Sequence, residues 1–105
     1  VKETQASIYQ WAREQFGDPK SIFQIAERAA EEMSELFGKI ADDAPRESIV
    51  EEIADVVIVL SQIAERLGLD LGEAIDRKMA INRAREWVTA GDGTGQHVEG
   101  VTNGR

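Results

Sequence analysis

The stretch RESIVEEIADVVIVLSQIAERL, residues 46 to 67, decides between a helical and a mixed fold. Its centre, Val56 to Leu60, is apolar at every position and rich in β-branched residues, which taken alone suits a buried strand. Its span does not. Ile49, Ile53, Val56, Val57, Leu60, Ile63, Ala64 and Leu67 keep a helical period over a length several times that of a common strand. The spacing predicts a helix over Arg46 to Leu67, ended by Gly68 as a C′ residue. A helix apolar all round must lie at the centre of a fold, or have its second side covered by another chain.

Outward from this segment the pattern stays helical. Ile8, Trp11, Ala12 and Gln15/Phe16 make a stripe that predicts a first helix from Thr4 to Phe16, closed by Gly17. Asp18-Pro19 reads as an N-cap with proline at the first helical position, so a second helix is expected from there to about Ile40. Its apolar side is Ile22, Ile25, Ala26, Ala29, Met33, Leu36 and Ile40. Asp42-Asp43-Ala44-Pro45 is a turn into the third helix. Asp70 is expected to cap a fourth, from Leu71 to Trp87. After Val88 come Gly91, Gly93, Gly95, Gly100 and Gly104, which read as a loop or strap. The expectation is an all-α domain over residues 1–90 with a glycine-rich tail over 91–105. It is an antiparallel bundle of about four helices, completed by homo-oligomerisation as a homodimer or homotetramer.

With 105 residues, a single domain is expected, limited in the core it can bury alone. Twenty acidic against 12 basic residues give a formal net charge of −8, which disfavours nucleic-acid binding through a cationic surface. A small anionic substrate is still admissible, because bound divalent ions reverse the local field. With no cysteine, thiolate metal sites, disulfides and cysteine nucleophiles are excluded. The chain begins at Val1, which suggests a processed or trimmed start. The polar first residues carry no apolar signal region, and no apolar run is long enough to span a bilayer. A cytoplasmic protein without membrane contact is expected.

Two acidic clusters stand out. Glu31-Glu32-Met33-Ser34-Glu35 and Glu51-Glu52-Ile53-Ala54-Asp55 set carboxylates three or four residues apart, on one helical face. Glu32 and Glu35 are spaced i, i+3, as are Glu52 and Asp55. Each cluster alone is what a solvated helix face commonly shows. If the second and third helices are antiparallel neighbours, however, the pairs meet across one gap as an oxygen-rich cage suited to Mg²⁺ or Mn²⁺. Asp55 leads directly into the most apolar run, where an uncompensated charge is costly. A di-iron bundle would want Glu-x-x-His on two helices, and the single histidine, His97, lies in the tail.

A basic segment follows at Arg77 to Trp87. Lys78, Asn82 and Arg85 share a predicted helical face, with Arg83 beside it, and such donors suit phosphate oxygens. The bland alternative is a helix C-terminus whose cations complement the macrodipole and pair with Glu73, Asp76 or Glu86. Trp11, Phe16 and Trp87 are candidates for stacking on a base, although aromatics at helical core positions more often pack.

Together these motifs resemble the MazG-like all-α nucleoside triphosphate pyrophosphohydrolases. The resemblance rests on Glu31-Glu32-x-x-Glu35, a 16-residue spacer from Leu36 to Glu51, Glu52-x-x-Asp55, and then Lys78 with Asn82 one turn on. Trp11-x-x-x-x-Phe16-Gly17 and Gly93-Thr94-Gly95-Gln96-His97 add a likeness to small phage- and cassette-associated members. The resemblance implies hydrolysis of a (deoxy)nucleoside triphosphate to the monophosphate and pyrophosphate, clearing unwanted nucleotides. It implies Glu32, Glu35, Glu52 and Asp55 as ligands of Mg²⁺, with Mn²⁺ as a substitute. Glu31 and Glu32 would be catalytic, Glu31 by orienting or deprotonating the attacking water. Lys78 and Asn82 would meet phosphate or complete the metal shell, with Lys78 also catalytic. Arg83, Arg85 and Trp11 are further substrate-binding candidates. The competing expectation is a non-catalytic helical dimerisation module built on the Val56–Leu60 face.

Overall fold

The computed structural model describes residues 2–98. Four helices account for most of them: α1 (Gln5–Phe16), α2 (Ile22–Ala41), α3 (Arg46–Arg66) and α4 (Leu71–Ala84). Two short strands follow, β1 (Trp87–Thr89) and β2 (Gly95–His97). The all-α reading is therefore correct in the main. The chain forms two compact units, residues 1–71 and the remainder from Gly72 onward.

In the first unit α3 is central and packs against both α1 and α2. The α2–α3 hairpin is antiparallel. Lys39 Nζ stands 3.4 Å from Glu52 Oε1 near its turn, and Arg66 Nη1 donates to the Pro19 carbonyl at 2.5 Å at its open end. Each terminus has an identifiable stop or start. Thr4 caps α1 through a reciprocal pair, Ser7 N–H to Thr4 Oγ1 at 3.0 Å and Thr4 N–H to Ser7 Oγ at 2.9 Å. Both α2 and α3 end in Schellman motifs. In α3, Leu69 N–H reaches the Ala64 carbonyl and Gly68 N–H the Glu65 carbonyl, with Gly68 at φ 75°. In α2 the same left-handed place is taken by Asp43, at φ 58°, with Ala44 N–H bonded to the Lys39 carbonyl. Gln5 ties the α3–α4 loop to α1, accepting from Leu71 N–H at 2.9 Å and donating to the Leu69 carbonyl at 2.5 Å.

Three expectations are corrected here. α2 begins at Ile22, not at Pro19, because Asp18 is engaged by Arg13 Nε at 2.6 Å and the chain from Gly17 to Ser21 stays extended or turned. Met33 and Ile40, expected on the inner face of α2, are 54% and 53% exposed. The inward row is Ile25, Ala29, Glu32 and Leu36 instead. α4 stops at Ala84, so Trp87 belongs to a strand and Arg85 lies past the helix end.

In the second unit β1 and β2 pair antiparallel with Trp87 opposite His97 and Thr89 opposite Gly95. Part of the expected glycine tail is thus a hairpin, turned through Gly91 and Gly93 at φ 87° and 95°. A Cβ on Gly95 would sit 2.5 Å from the Val88 carbonyl oxygen, so the close pairing requires glycine there. The rest of the expected tail, residues 99–105 with Gly100 and Gly104, lies outside the described residues, as does Val1.

Among the described residues, buried apolar residues are few: Ala12, Ile25, Ala29 and Leu36. Ile53, Val57 and Leu60 on the outer side of α3, and Phe23 and Phe37 on α2, are exposed in the single chain. This uncovered α3 stripe is what its all-round apolar sequence leads one to expect. Among the described residues no helix is long and apolar enough to cross a membrane.

Candidate metal and nucleotide site

The inward row of α2 contains a carboxylate where its spacing calls for an apolar residue. Ile25, Ala29, Glu32 and Leu36 follow steps of four, three and four, so Glu32 is carried into the helix interface and is only 7% exposed. α3 does the same from the other side, burying Glu52 to 4% exposure. Because the hairpin is antiparallel, Glu32 meets Glu52 and Asp55, and one carboxylate oxygen from each falls within 4.8 Å of the others.

Three carboxylates this close repel unless a proton or cation intervenes. Hydrogen bonding to Glu52 and burial push the Glu32 carboxyl up to about 7, with the Glu35 and Glu52 charges adding to the rise and Arg28 opposing it. Glu52 Oε1 has Lys39 at 3.4 Å, but its Oε2 is buried without a hydrogen-bond donor. An orphaned, buried carboxylate oxygen among hard oxygen donors is a fit for a divalent ion such as Mg²⁺ or Mn²⁺. Glu32, Glu52 and Asp55 are the residues that would hold it.

Arg28 was not singled out by sequence. It forks across two acids, donating from Nη1 to Glu31 Oε1 at 2.9 Å and from Nη2 to Glu32 Oε2. Its position four residues before Glu32 was the available signal.

A cavity of about 570 Å³ opens from the carboxylates along the α1–α2–α3 side of the first unit. Glu32 and Asp55 line it, with Trp11, Phe16, Ile25, Ile58 and Val59 as apolar walls. Trp11 and Phe16 meet edge to face at 5.6 Å between centroids. The candidate base-stacking residue Trp11 therefore shares one cavity with two of the candidate ligands. The cavity's polar members also include Gln24, Arg28 and Gln62.

The other candidates are distributed as follows. Glu35 is exposed and lies outside the group of three, although its charge reaches Glu32. Glu31 is exposed and paired with Arg28. In the second unit Lys78 and Arg83 are exposed on α4. Asn82 is half-buried, and its carbonyl accepts from Trp87 Nε1 at 2.7 Å. Arg85 is half-buried just past the helix, with Nε and Nη2 shielded from water and without a hydrogen-bond partner.

Comparison with known proteins places the chain among relatives. The MazG-like family model matches residues 21–99. The chain is 40% identical over 100 residues to a dATP/dGTP diphosphohydrolase of Cyanophage S-2L, covering 95% of this chain and 90% of that protein. It is 37% identical to a dATP/dGTP diphosphohydrolase of Salmonella phage PMBT28, over 93% of this chain but 31% of that protein. Human dCTP pyrophosphatase 1 is 35% identical over 69% of this chain and 48% of its own length. Among solved structures, the Cyanophage S-2L MazG-like pyrophosphohydrolase bound to dGDP and three catalytic Mn²⁺ ions per active site superposes with a TM-score of 0.73. That match has 36% identity and covers 91% of this chain and 89% of the other. The motifs, the buried carboxylates and these matches agree: the chain belongs to the MazG-like family.

Proposed function

We propose that this protein is a metal-dependent nucleotide pyrophosphohydrolase that clears (deoxy)nucleoside triphosphates, purine deoxynucleotides foremost, from the nucleotide pool. The observation that carries it is the convergence of Glu32, Glu52 and Asp55, two of which, Glu32 and Asp55, line an aromatic-walled cavity. The carboxylates form a phosphate end only with cations between, and the cavity is sized and lined for a nucleoside. Two phage relatives named for dATP and dGTP support the purine preference.

In the reaction, water attacks the α-phosphorus, the α–β anhydride P–O bond breaks, and pyrophosphate leaves with the bond's electron pair. A bound Mg²⁺ or Mn²⁺ would neutralise the triphosphate and activate water. The chain's own residues hold and orient. Glu32, Glu52 and Asp55 supply the ligand oxygens, with Glu35 a fourth at the rim. Glu31, released from Arg28, takes the water's proton. Trp11 and Phe16 hold the base away from bulk water. Lys78 and Asn82, with Arg83 and Arg85 as lesser candidates, are assigned to phosphate by the family resemblance alone.

The exposed apolar stripe Ile53, Val57 and Leu60 supports a homodimer or homotetramer. A cytoplasmic setting, where nucleotide pools lie, suits this activity and the absence of cysteine. The rival reading, a silent dimerisation module, leaves the cost of burying Glu32 and Glu52 beside Asp55 unexplained.

A panel of NTPs and dNTPs with Mg²⁺, products resolved as pyrophosphate or orthophosphate, tests the reading. Pyrophosphate release that EDTA and Glu52→Gln both abolish is expected. A folded, metal-loaded protein that hydrolyses no triphosphate would refute it, and orthophosphate release would reject the α–β cleavage.

A further inference from the structure

The cavity has two chemically different ends, and both helices that form it build the same gradient. On α3 the cavity-lining row is Asp55, Ile58, Val59 and Gln62; on α2 it is Glu32, Arg28, Ile25 and Gln24. Each row begins with a carboxylate and ends in an amide, with Ile58 and Val59 between them on α3 and Arg28 and Ile25 between them on α2. Gln62 lies seven residues beyond Asp55, and Gln24 eight residues before Glu32, so the amides stand about 10–12 Å from the carboxylates along the helix axes. The antiparallel hairpin puts both amides at one end and both acids at the other. Between them lies room for a deoxyribose and a base.

The two amides are not equivalent. Gln24 Oε1 accepts from the Lys20 backbone N–H at 2.7 Å, which fixes the side chain and leaves its NH₂ to donate. Gln62 is half-buried, and its amide makes no hydrogen bond among the described residues, so it can present either donor or acceptor. Purines share one acceptor that pyrimidines lack, N7. They differ beside it: adenine carries a donor on C6 and guanine an acceptor.

Resting on the nucleotide reading above, we infer that Gln24 and Gln62 are the base-reading residues, Gln24 donating to purine N7 and Gln62 rotating to match either 6-substituent. A fixed donor selects purines, and an adaptable amide admits both of them. The same arrangement offers a pyrimidine no partner for Gln24. Gln24 is exposed, so the discrimination is the one hydrogen bond that a pyrimidine does not make.

The test compares dATP and dGTP with their 7-deaza analogues, which keep the ring shape and lose the N7 acceptor. In the wild type the 7-deaza change lowers kcat/KM by about tenfold, the loss of one hydrogen bond. In Gln24→Leu the natural purines fall by a similar factor and the 7-deaza penalty disappears. Gln24→Met, closer in shape, serves as the second variant, and Mn²⁺ binding followed by electron paramagnetic resonance reports the carboxylate end separately. Gln62→Met lowers dATP and dGTP together relative to a purine without a 6-substituent. Wild-type purine turnover indifferent to 7-deaza substitution, or a penalty that persists in both Gln24 variants, overturns the base-reading assignment while leaving the hydrolase reading intact. Failure of the wild type to hydrolyse any nucleotide overturns both.

Discussion

Glu32 makes the metal-free protein lose stability as pH rises, and Glu32→Gln removes that loss. In an unfolded chain this carboxyl titrates at 4.5; in the fold, its hydrogen bond to Glu52 and its burial move it up to about 7. The folded state therefore holds a proton that the unfolded state has released between these values. The sign follows: the stabilisation is complete below pH 4.5, shrinks as pH climbs through 7, and is gone above it. A shift from 4.5 to about 7 corresponds to about 3 kcal/mol. The Glu32 side chain is 9% exposed, so solvent screening weakens this only modestly. For a domain of this size, about 3 kcal/mol moves the melting temperature by on the order of 10–20 °C.

Thermal and urea unfolding of chelator-treated protein from pH 5 to pH 8 measures this directly. Glutamine at position 32 cannot ionise and keeps an amide near Glu52. The variant should match the wild type near pH 5 and exceed it at pH 8 by up to about 3 kcal/mol. Its cost is one arm of the Arg28 fork, whose other arm to Glu31 persists at 2.9 Å. Mn²⁺ or Mg²⁺ at pH 8 should restore the wild type and stabilise the variant much less, because a ligand oxygen has been replaced. A wild-type stability that is flat across this range, or a slope that survives in Glu32→Gln, would refute the account of the buried carboxylates.

Two further outcomes follow from other parts of the chain. Asp43 occupies the left-handed Schellman position at φ 58°, so Asp43→Gly should raise stability by about 0.5–1 kcal/mol in urea denaturation, with no change in m-value; destabilisation would mean that Asp43 makes a side-chain contribution outweighing its strain. If the α3 stripe is a subunit interface, the wild type sediments as a multiple of 11.6 kDa and Val57→Asp, at a position 50% exposed in the single chain, shifts it to the monomer. A monomeric wild type would remove the interface.

Much of the site is legible from spacing. Glu-x-x-Glu and Glu-x-x-Asp lie on helices joined by the Asp42–Pro45 turn, and a short turn forces antiparallel neighbours, so Glu32, Glu52 and Asp55 had to approach. Trp11 was likewise visible as an aromatic one helix away. Arg28, Gln24 and Gln62 were not, because a polar residue at a helical interval carries no mark separating a solvated face from a cavity wall. The inner face of α2 was misread for a related reason. It is apolar on two adjoining stripes, and periodicity cannot choose between Met33 and Glu32 as the residue that faces α3. The hairpin after Trp87 was missed because three-residue strands are too short to show alternation.

The helical class, the number and approximate limits of the helices, and the acidic motifs all follow from local chemistry: periodicity, Gly68 and the turn at Asp42–Pro45. These depend on neighbours within a turn or two, which the chain order itself supplies. Tertiary packing decided which carboxylates are buried. It left Glu31 and Glu35 exposed, drove Glu52 Oε2 into an interface without a donor, and set two amides at the far end of the same cavity. Those outcomes depend on the rotation of each helix about its axis. That rotation is settled by the fit of α2 and α1 against α3, residues far apart in the sequence, and so no single segment encodes it.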